Sequence, residues 1–442
     1  MQHSIKLLIS ITFLSFFLRI IQCQILLDRD FLNYLYSNSS ISSIFTIDMS
    51  SKNISAIKTN TFSNLTHLIA LNLDDNKIFS IDSITFNDLI DLRYLYLNSN
   101  QLTKLEAHLF SNQKDLIGLY LENNLLSFLT KEDLPLTNLK ILNLGSNRLE
   151  SIEERSFEYL INLAELNLRN NKINFLEPNT FFGLDKLAGL FLSQNNLSEI
   201  NELDFFHLKI LNDLQLNNNQ IVTIDRLAFK SLSNLQTLYL HNNKIENIDS
   251  SLFENLINLK YLYLHSNNLN SLSSSLFDNL KNLLTLDLGD NKLTSIRKED
   301  LPSALASLRI LDLSSNRLSV VSQESFSNLA SLLELNLKNN KIIFLEPLSF
   351  NSLKNLITLN LSNNSLTRLR DSDFIYLENL SKLHLNNNQI VSIDRLVFLG
   401  LVNLQVIYLG NNPISEMQNS FVHQLCFTNP KCFVCLAASC DK

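Results

Sequence analysis

Three histidines, His241, His265 and His384, fall in or just after short apolar segments, at places where a side chain turns outward. His241 and His265 hold the same place in two similar local strings, LYLHNN and LYLHSN. Imidazoles on adjacent units could serve as the base of a Ser-His-Asp arrangement assembled from distant units, or supply two ligands to a transition metal. Each of those chemistries needs further groups. No nucleophile motif, phosphate-cradling glycine loop or acid pair at a defined spacing accompanies the histidines. Two imidazoles without two more ligands do not complete a zinc site. The sequence therefore reads as non-enzymatic, with no metal and no cofactor.

Binding is the chemistry that remains. Tyr94, Tyr96 and Tyr120 form one group of outward aromatic residues, and Tyr239, Tyr261 and Tyr263, with His241 and His265, form another; Phe191 and Tyr408 stand apart. Tyrosine couples apolar area to a hydrogen-bonding tip and is enriched where proteins recognise one another. It is also a favourable strand residue, so its rows have a purely structural explanation as well.

These residues are placed by a repeat. From Leu68 to Ile414 the pattern Leu-x-x-Leu-x-Leu-x-x-Asn-x-Leu/Ile occurs fifteen times, its Asn recurring at nearly constant intervals from Asn76, Asn100 and Asn124 to Asn364, Asn388 and Asn412. So tight a register marks a repeat array. The Leu-x-Leu run alternates inward and outward as a strand does, and stacked units would form a parallel sheet with leucines inside. A second apolar column, Phe62 through Phe398 with Leu134 and Leu301 substituting, closes the core from the opposite wall. The asparagines read as structural, their amides satisfying buried turn groups of adjacent coils. With only seven glycines in 442 residues, the turns must rely on Asn and Asp, which tolerate left-handed backbone. The length suggests two or three domains, but the repeat runs without a linker and is read as one elongated solenoid.

The iterated motif, seen in LRYLYLNSNQL followed by HLF and in LKYLYLHSNNL followed by SLFDNL, resembles the extracellular "typical" leucine-rich repeat family over residues 44–415. The resemblance implies an α/β, right-handed solenoid, a horseshoe with a parallel concave sheet and short helical, 3-10 or extended segments on its convex side. A degenerate first unit, at Ile44, Ile47, Met49 and Ile54, has Lys52 at its Asn position. A longer period is superimposed: KEDLP at 131 returns at 298, and NFLEP at 174 returns as IFLEP at 343, each displaced by seven units. The resulting layout is a signal segment at 1–23, an N-terminal cap at 24–43, the solenoid at 44–415 and a cysteine-rich C-terminal cap at 416–442.

The ends indicate export. A basic start and a fifteen-residue apolar run from Leu7 to Ile21, interrupted by Arg19, suit a cleaved secretory signal better than a membrane span. Cys426, Cys432, Cys435 and Cys440 crowd into the last seventeen residues. They read as two disulfides with three possible connectivities; a four-thiolate zinc site is the competing arrangement. The N-terminal flank, without paired cysteines, is expected to cap with Ile25, Leu26, Phe31 and Leu35. Sequons stand at Asn38, Asn53, Asn64, Asn196, Asn360, Asn363 and Asn379. A glycan on Asn360 would obstruct the sheet face locally, so a partner should avoid that stretch.

Charge narrows the partner. The chain carries 36 Lys and Arg against 43 Asp and Glu, and the outward positions hold nine acids against the bases Arg169, Lys338 and Lys382. Such a face disfavours nucleic acid and favours neutral or basic proteins. The expected protein is a secreted, glycosylated, disulfide-bonded binding or cell-adhesion protein that recognises a protein ligand on its concave face. The alternatives are the ectodomain of a membrane receptor and a structural protein of the extracellular matrix.

Overall fold

The computed structural model describes residues 25–36 and 43–414, together with the backbone of 433–435. The signal segment, Asn38, Cys426, Cys432 and Cys440 lie outside the described residues, and of Cys435 only the backbone is described. The chain divides into two compact units, residues 1–197 with 203–211, and residues 198–202 with 212–442.

In the first unit each Leu-x-Leu run becomes a three-residue strand that pairs in parallel with its successor, from Thr46–Asp48 and Ala70–Asn72 to Glu165–Asn167 and Gly189–Phe191. The second unit repeats this from Asp213–Gln215 to Val406–Tyr408, and the backbone of Phe433–Cys435 adds one more parallel strand beside Val406–Tyr408. Both units are leucine-rich solenoids with a parallel sheet on one wall. The opposite wall carries 3-10 turns such as Lys131–Asp133 and Lys298–Asp300. It also carries two-residue strand pairs such as Val320–Val321 with Phe344–Leu345.

The alternation of the strands explains the core. Leu95, Leu119, Leu262 and Leu286, the central residues of their strands, are fully buried, while the flanking residues reach the outer face. On the far wall the phenylalanines stack coil on coil: Phe157 and Phe181 lie 6.4 Å apart and 2° from parallel. Phe253 and Phe277 lie 6.4 Å apart and 10° from parallel. A ring that leaves one flat face toward each neighbouring coil is useful because no single coil can cover it.

Each ladder asparagine joins two coils. Asn171 Nδ2 donates to Leu144 O of the preceding coil and to Leu168 O of its own, both at 3.0 Å. Its Oδ1 accepts from Leu149 N at 3.0 Å. A second column runs along the far wall, where Asn162, Asn258, Asn282, Asn355, Asn379 and Asn403 donate at 2.8 to 2.9 Å to a carbonyl of the preceding coil. Their place before a core leucine in the Asn-Leu pairs carried that signal.

The residue just before each ladder asparagine is left-handed, with φ between 49° and 58°. Asn and Asp fill many of these positions, as expected, but Ser99, Ser146, Ser266, Ser315 and Gln194 do so as well. At the N-terminal edge Ile25–Leu27 pairs in parallel with Ile54–Ile57, and the helix Arg29–Leu35 starts on Asp28, whose side chain accepts from Phe31 N. Here the expected capping residues need correction. Leu27 and Leu32 are fully buried, whereas Leu35 is 42% exposed, because the helix turns Leu32, not Leu35, toward the first coil. Among the described residues no helix is long and apolar enough to cross a membrane.

Candidate functional site

Equal coil lengths bring matching positions of successive coils into contact on the outer face, so the sequence columns become rows of touching side chains. In the second unit Tyr239 pairs in register with Tyr263, and their rings stack at 4.8 Å, 5° from parallel. One pleat further on, His241 and His265 stack at 4.3 Å and 14°. His241 also meets the edges of Tyr239 at 5.9 Å and Tyr263 at 6.4 Å. Tyr261 stands in a different row, between Thr237 and Thr285, and is 37% exposed. The predicted cluster is thus three rows: a stacked tyrosine pair, a stacked histidine pair that meets it edge-on, and a tyrosine flanked by threonines.

In the first unit Tyr96 and Tyr120 stack at 4.7 Å and 7°. Tyr94 is in register with Gly118. A Cβ on Gly118 would lie 2.9 Å from Tyr120 Cε2 and 3.1 Å from Tyr94 Cδ1, so the missing side chain is what lets both rings lie down over the strand. A third stack, His384 on Tyr408 at 4.3 Å and 10°, occupies the last described coils.

The two imidazoles of the second unit are not equivalent. Burial, and then the nearby His265, push the pKa of His241 down to about 4, and its Nδ1 is buried without a hydrogen-bond partner. His265 Nδ1 lies 2.8 Å from Asp287 Oδ2. That close contact with Asp287 holds its pKa above the ordinary value against the opposing effect of burial, with the charges of Asp287, Asp312 and Asp290 adding attraction. Of the two, His265 is the one that favours the proton. A pair of unequal imidazoles without a nucleophile supports recognition chemistry better than bond cleavage. Among the described residues no group of three or more His, Cys, Asp or Glu is placed to hold a metal ion.

Sequence columns located the rings but missed how many of the acids are already engaged. Asp74 Oδ1 accepts from Asn98 N at 2.6 Å, Glu122 Oε2 from Asn143 Nδ2 at 3.0 Å, and Asp312 Oδ2 from Asn336 Nδ2 at 2.8 Å. For Asp74 with Asn98 and Asp312 with Asn336 the signal was present in the spacing of 24 residues along a row; Glu122 reaches across to the neighbouring row. Of the sequons, Asn53, Asn64 and Asn196 are exposed. Asn360 lies on the sheet face with Oδ1 accepting from Ser362 N and Oγ. Asn363 donates to Asn339 Oδ1 at 2.6 Å and Asn379 to Lys354 O at 2.9 Å.

The parallel strands, the asparagine ladder and the iterated core define a leucine-rich repeat protein. The leucine rich repeat family profile matches residues 42–102, 137–197, 187–245, 209–269, 233–293, 257–303, 306–366, 339–390 and 378–424, and the chain belongs to that family. No curated protein matches the sequence. Among solved structures it is similar to the Toll–Spatzle complex of Drosophila, at 25% identity and a TM-score of 0.66 over 82% of this chain and 54% of that one. A leucine-rich repeat protein of Leptospira interrogans matches at 24% identity and 0.58 over 89% and 96%. The ectodomain of the Arabidopsis thaliana receptor kinase GASSHO1/SCHENGEN3, solved with CASPARIAN STRIP INTEGRITY FACTOR 2, matches at 26% and 0.56 over 83% and 47%. The chain spans about half the length of the Toll and plant structures.

Proposed function

We propose that this chain is a secreted, non-enzymatic recognition protein that binds a protein ligand on the outer face of its sheet. The observation that carries the reading is the second-unit ring stack, Tyr239, Tyr263, His241 and His265, held on rigid strands and partly open to solvent. Prepositioned aromatic groups bind with little loss of side-chain freedom. The family supports a binding scaffold, and the similar structures of Toll and of the plant ectodomain were solved with Spatzle and with CASPARIAN STRIP INTEGRITY FACTOR 2. The cysteines 426, 432, 435 and 440 are assigned to a disulfide-bonded cap and the exposed sequons to glycosylation, in keeping with export.

The test is affinity capture with the secreted protein, followed by titration of one saturable partner. Paired Tyr239→Ala and Tyr261→Ala changes should weaken that partner while the circular dichroism spectrum is retained. Unaltered affinity in a folded variant removes the sheet face from the function. A second reading, the ectodomain of a receptor, draws on the similarity to the plant receptor ectodomain; a longer transcript encoding a membrane span would favour it.

A further inference from the structure

Beside the ring stack, the sheet of the second unit changes character. Thr285–Asp287 and Ile310–Asp312 are adjacent strands, and Asp287 is the register partner of Asp312. Between them, one pleat along, is Gly289. A Cβ there would lie 3.2 Å from each of three oxygens: Asp287 Oδ1, Asp312 Oδ1 and Ser314 Oγ. The missing side chain leaves these oxygens around one small gap. In the first unit Gly145 lies among Asn143 Oδ1, Asn167 Nδ2 and Asn167 Oδ1, which are neutral amides. Across the internal duplication, seven units earlier, Asp287 and Asp312 correspond to Tyr120 and Asn143. The two carboxylates are therefore particular to the second copy.

Each of their four oxygens already has one neighbour: Asp287 Oδ2 faces His265 Nδ1 at 2.8 Å and Asp312 Oδ2 accepts from Asn336 Nδ2 at 2.8 Å. Asp287 Oδ1 accepts from Gly289 N at 3.0 Å, and Asp312 Oδ1 from Ser314 N at 2.7 Å. A backbone N–H occupies one lone-pair direction and neutralises no charge, so each carboxylate still attracts a cation. The base that already reaches Asp287 is His265, a cation when protonated. The other charged groups facing His265 are Asp312, Asp290 and, from the preceding coil, His241. His241 is the only potential cation among them, and its burial keeps it neutral near pH 7.

Resting on the sheet-face reading above, we propose that the Asp287–Asp312 pair beside the Tyr239–Tyr263 stack receives an arginine or lysine side chain of the protein partner, and that His265 competes with it for Asp287. Deprotonated His265 frees Asp287 for the incoming cation, whose alkyl stem lies along the tyrosine rings. Protonated His265 reclaims the carboxylate. Binding then weakens as pH falls, because the free protein takes up a proton that the complex excludes.

The probe is an acetylated, amidated peptide of alternating glycine and arginine, titrated by fluorescence anisotropy into the full chain at low salt, with citrulline replacing arginine as a neutral control. The arginine peptide should bind about tenfold more tightly at about pH 8.5 than at about pH 5.5, the direction set by one competing proton. Asp287→Asn should weaken binding at the higher pH by about fivefold, the scale of a partly exposed ion pair, and Asp75→Asn on the other unit should leave it unaltered. His265→Gln should keep the high-pH affinity and flatten the pH profile. Equal binding of the citrulline peptide, indifference to Asp287→Asn in a folded protein, or a pH slope that survives His265→Gln overturns the inference. A protein partner lost with the tyrosine pair but indifferent to Asp287→Asn would leave sheet-face recognition standing and remove this subsite alone. Peptide binding that follows Asp287 and His265, with a partner that ignores the tyrosines, would do the reverse.

Discussion

The imidazole of His241 lies face to face with that of His265, ring centroids 4.3 Å apart, and a carboxylate reaches only the second of them. One stack thus contains two histidines with opposite proton preferences.

That asymmetry predicts opposite contributions to stability. His241 titrates near 4 in the folded chain, down from 6.5, so between those values the unfolded chain binds more protons and acidification destabilises the fold. His265 is shifted upward, so its contribution is present at low pH and is lost as pH rises through its raised value. His241→Gln should therefore flatten the loss of stability between about pH 6.5 and about pH 4, whereas His265→Gln should leave that window unaltered and remove a loss of stability that sets in as pH rises above about 6.5. Urea midpoints on both sides of about pH 6.5 measure both, and equal pH profiles for the two variants would contradict the assignment.

The ladder predicts a cost for one lost amide. Asn171→Ala leaves Leu149 N without its buried partner and takes one of two amide donors from Leu144 O and from Leu168 O, which keep Asn147 and Asn195. At about 1–3 kcal/mol for a buried group left unsatisfied, a loss of about 1–3 kcal/mol is expected in chemical denaturation. Asn196→Ala, one residue beyond the next ladder asparagine and exposed, should cost less than about 0.5 kcal/mol. Similar losses for the two would remove the ladder's role.

The far wall responds to volume. Phe181 is 1% exposed and stacks on Phe157 and Phe205, so Phe181→Ala should cost about 3–5 kcal/mol. Phe181→Leu should cost less, because Leu134 and Leu301 already fill this column in their own coils with at most 1% exposure. Thermal melts would rank the two, and an alanine variant as stable as the leucine one would contradict the packing.

Gly183 is required by its backbone. Its φ is +87°, and a Cβ would fall 2.7 Å from Glu158 O, a main-chain atom that cannot swing away. Gly183→Ala should destabilise by about 1–3 kcal/mol, whereas Gly145→Ala meets only side-chain atoms at 3.1 Å or more and should cost less. A melting temperature for Gly183→Ala equal to that of the parent would show that the turn relaxes freely.

Much of this was legible in the linear chain because a solenoid makes contacts between coils a fixed sequence distance apart. The repeat period therefore reports which leucines, phenylalanines and asparagines touch, and it placed Tyr239 beside Tyr263 and His241 beside His265. It did not separate Tyr261 from them, because the row a residue joins depends on which side of the strand's central leucine it stands. The capping residues were harder, since one turn of helix decides that Leu32 and not Leu35 meets the first coil.

By itself, then, the sequence determined the coil, its two apolar columns, its amide ladder and the candidate rings, because each follows from period and side-chain alternation. Only the tertiary structure decided which polar groups remain available. It joined Asp74 to Asn98 and Glu122 to Asn143, gave Asp287 to His265 alone of the two stacked histidines, and left Asp287 and Asp312 facing the gap above Gly289. The physical reason is range: apolar burial follows from the average position of a residue in the coil, whereas hydrogen bonds and proton affinities change over tenths of an ångström and within a few degrees of rotation.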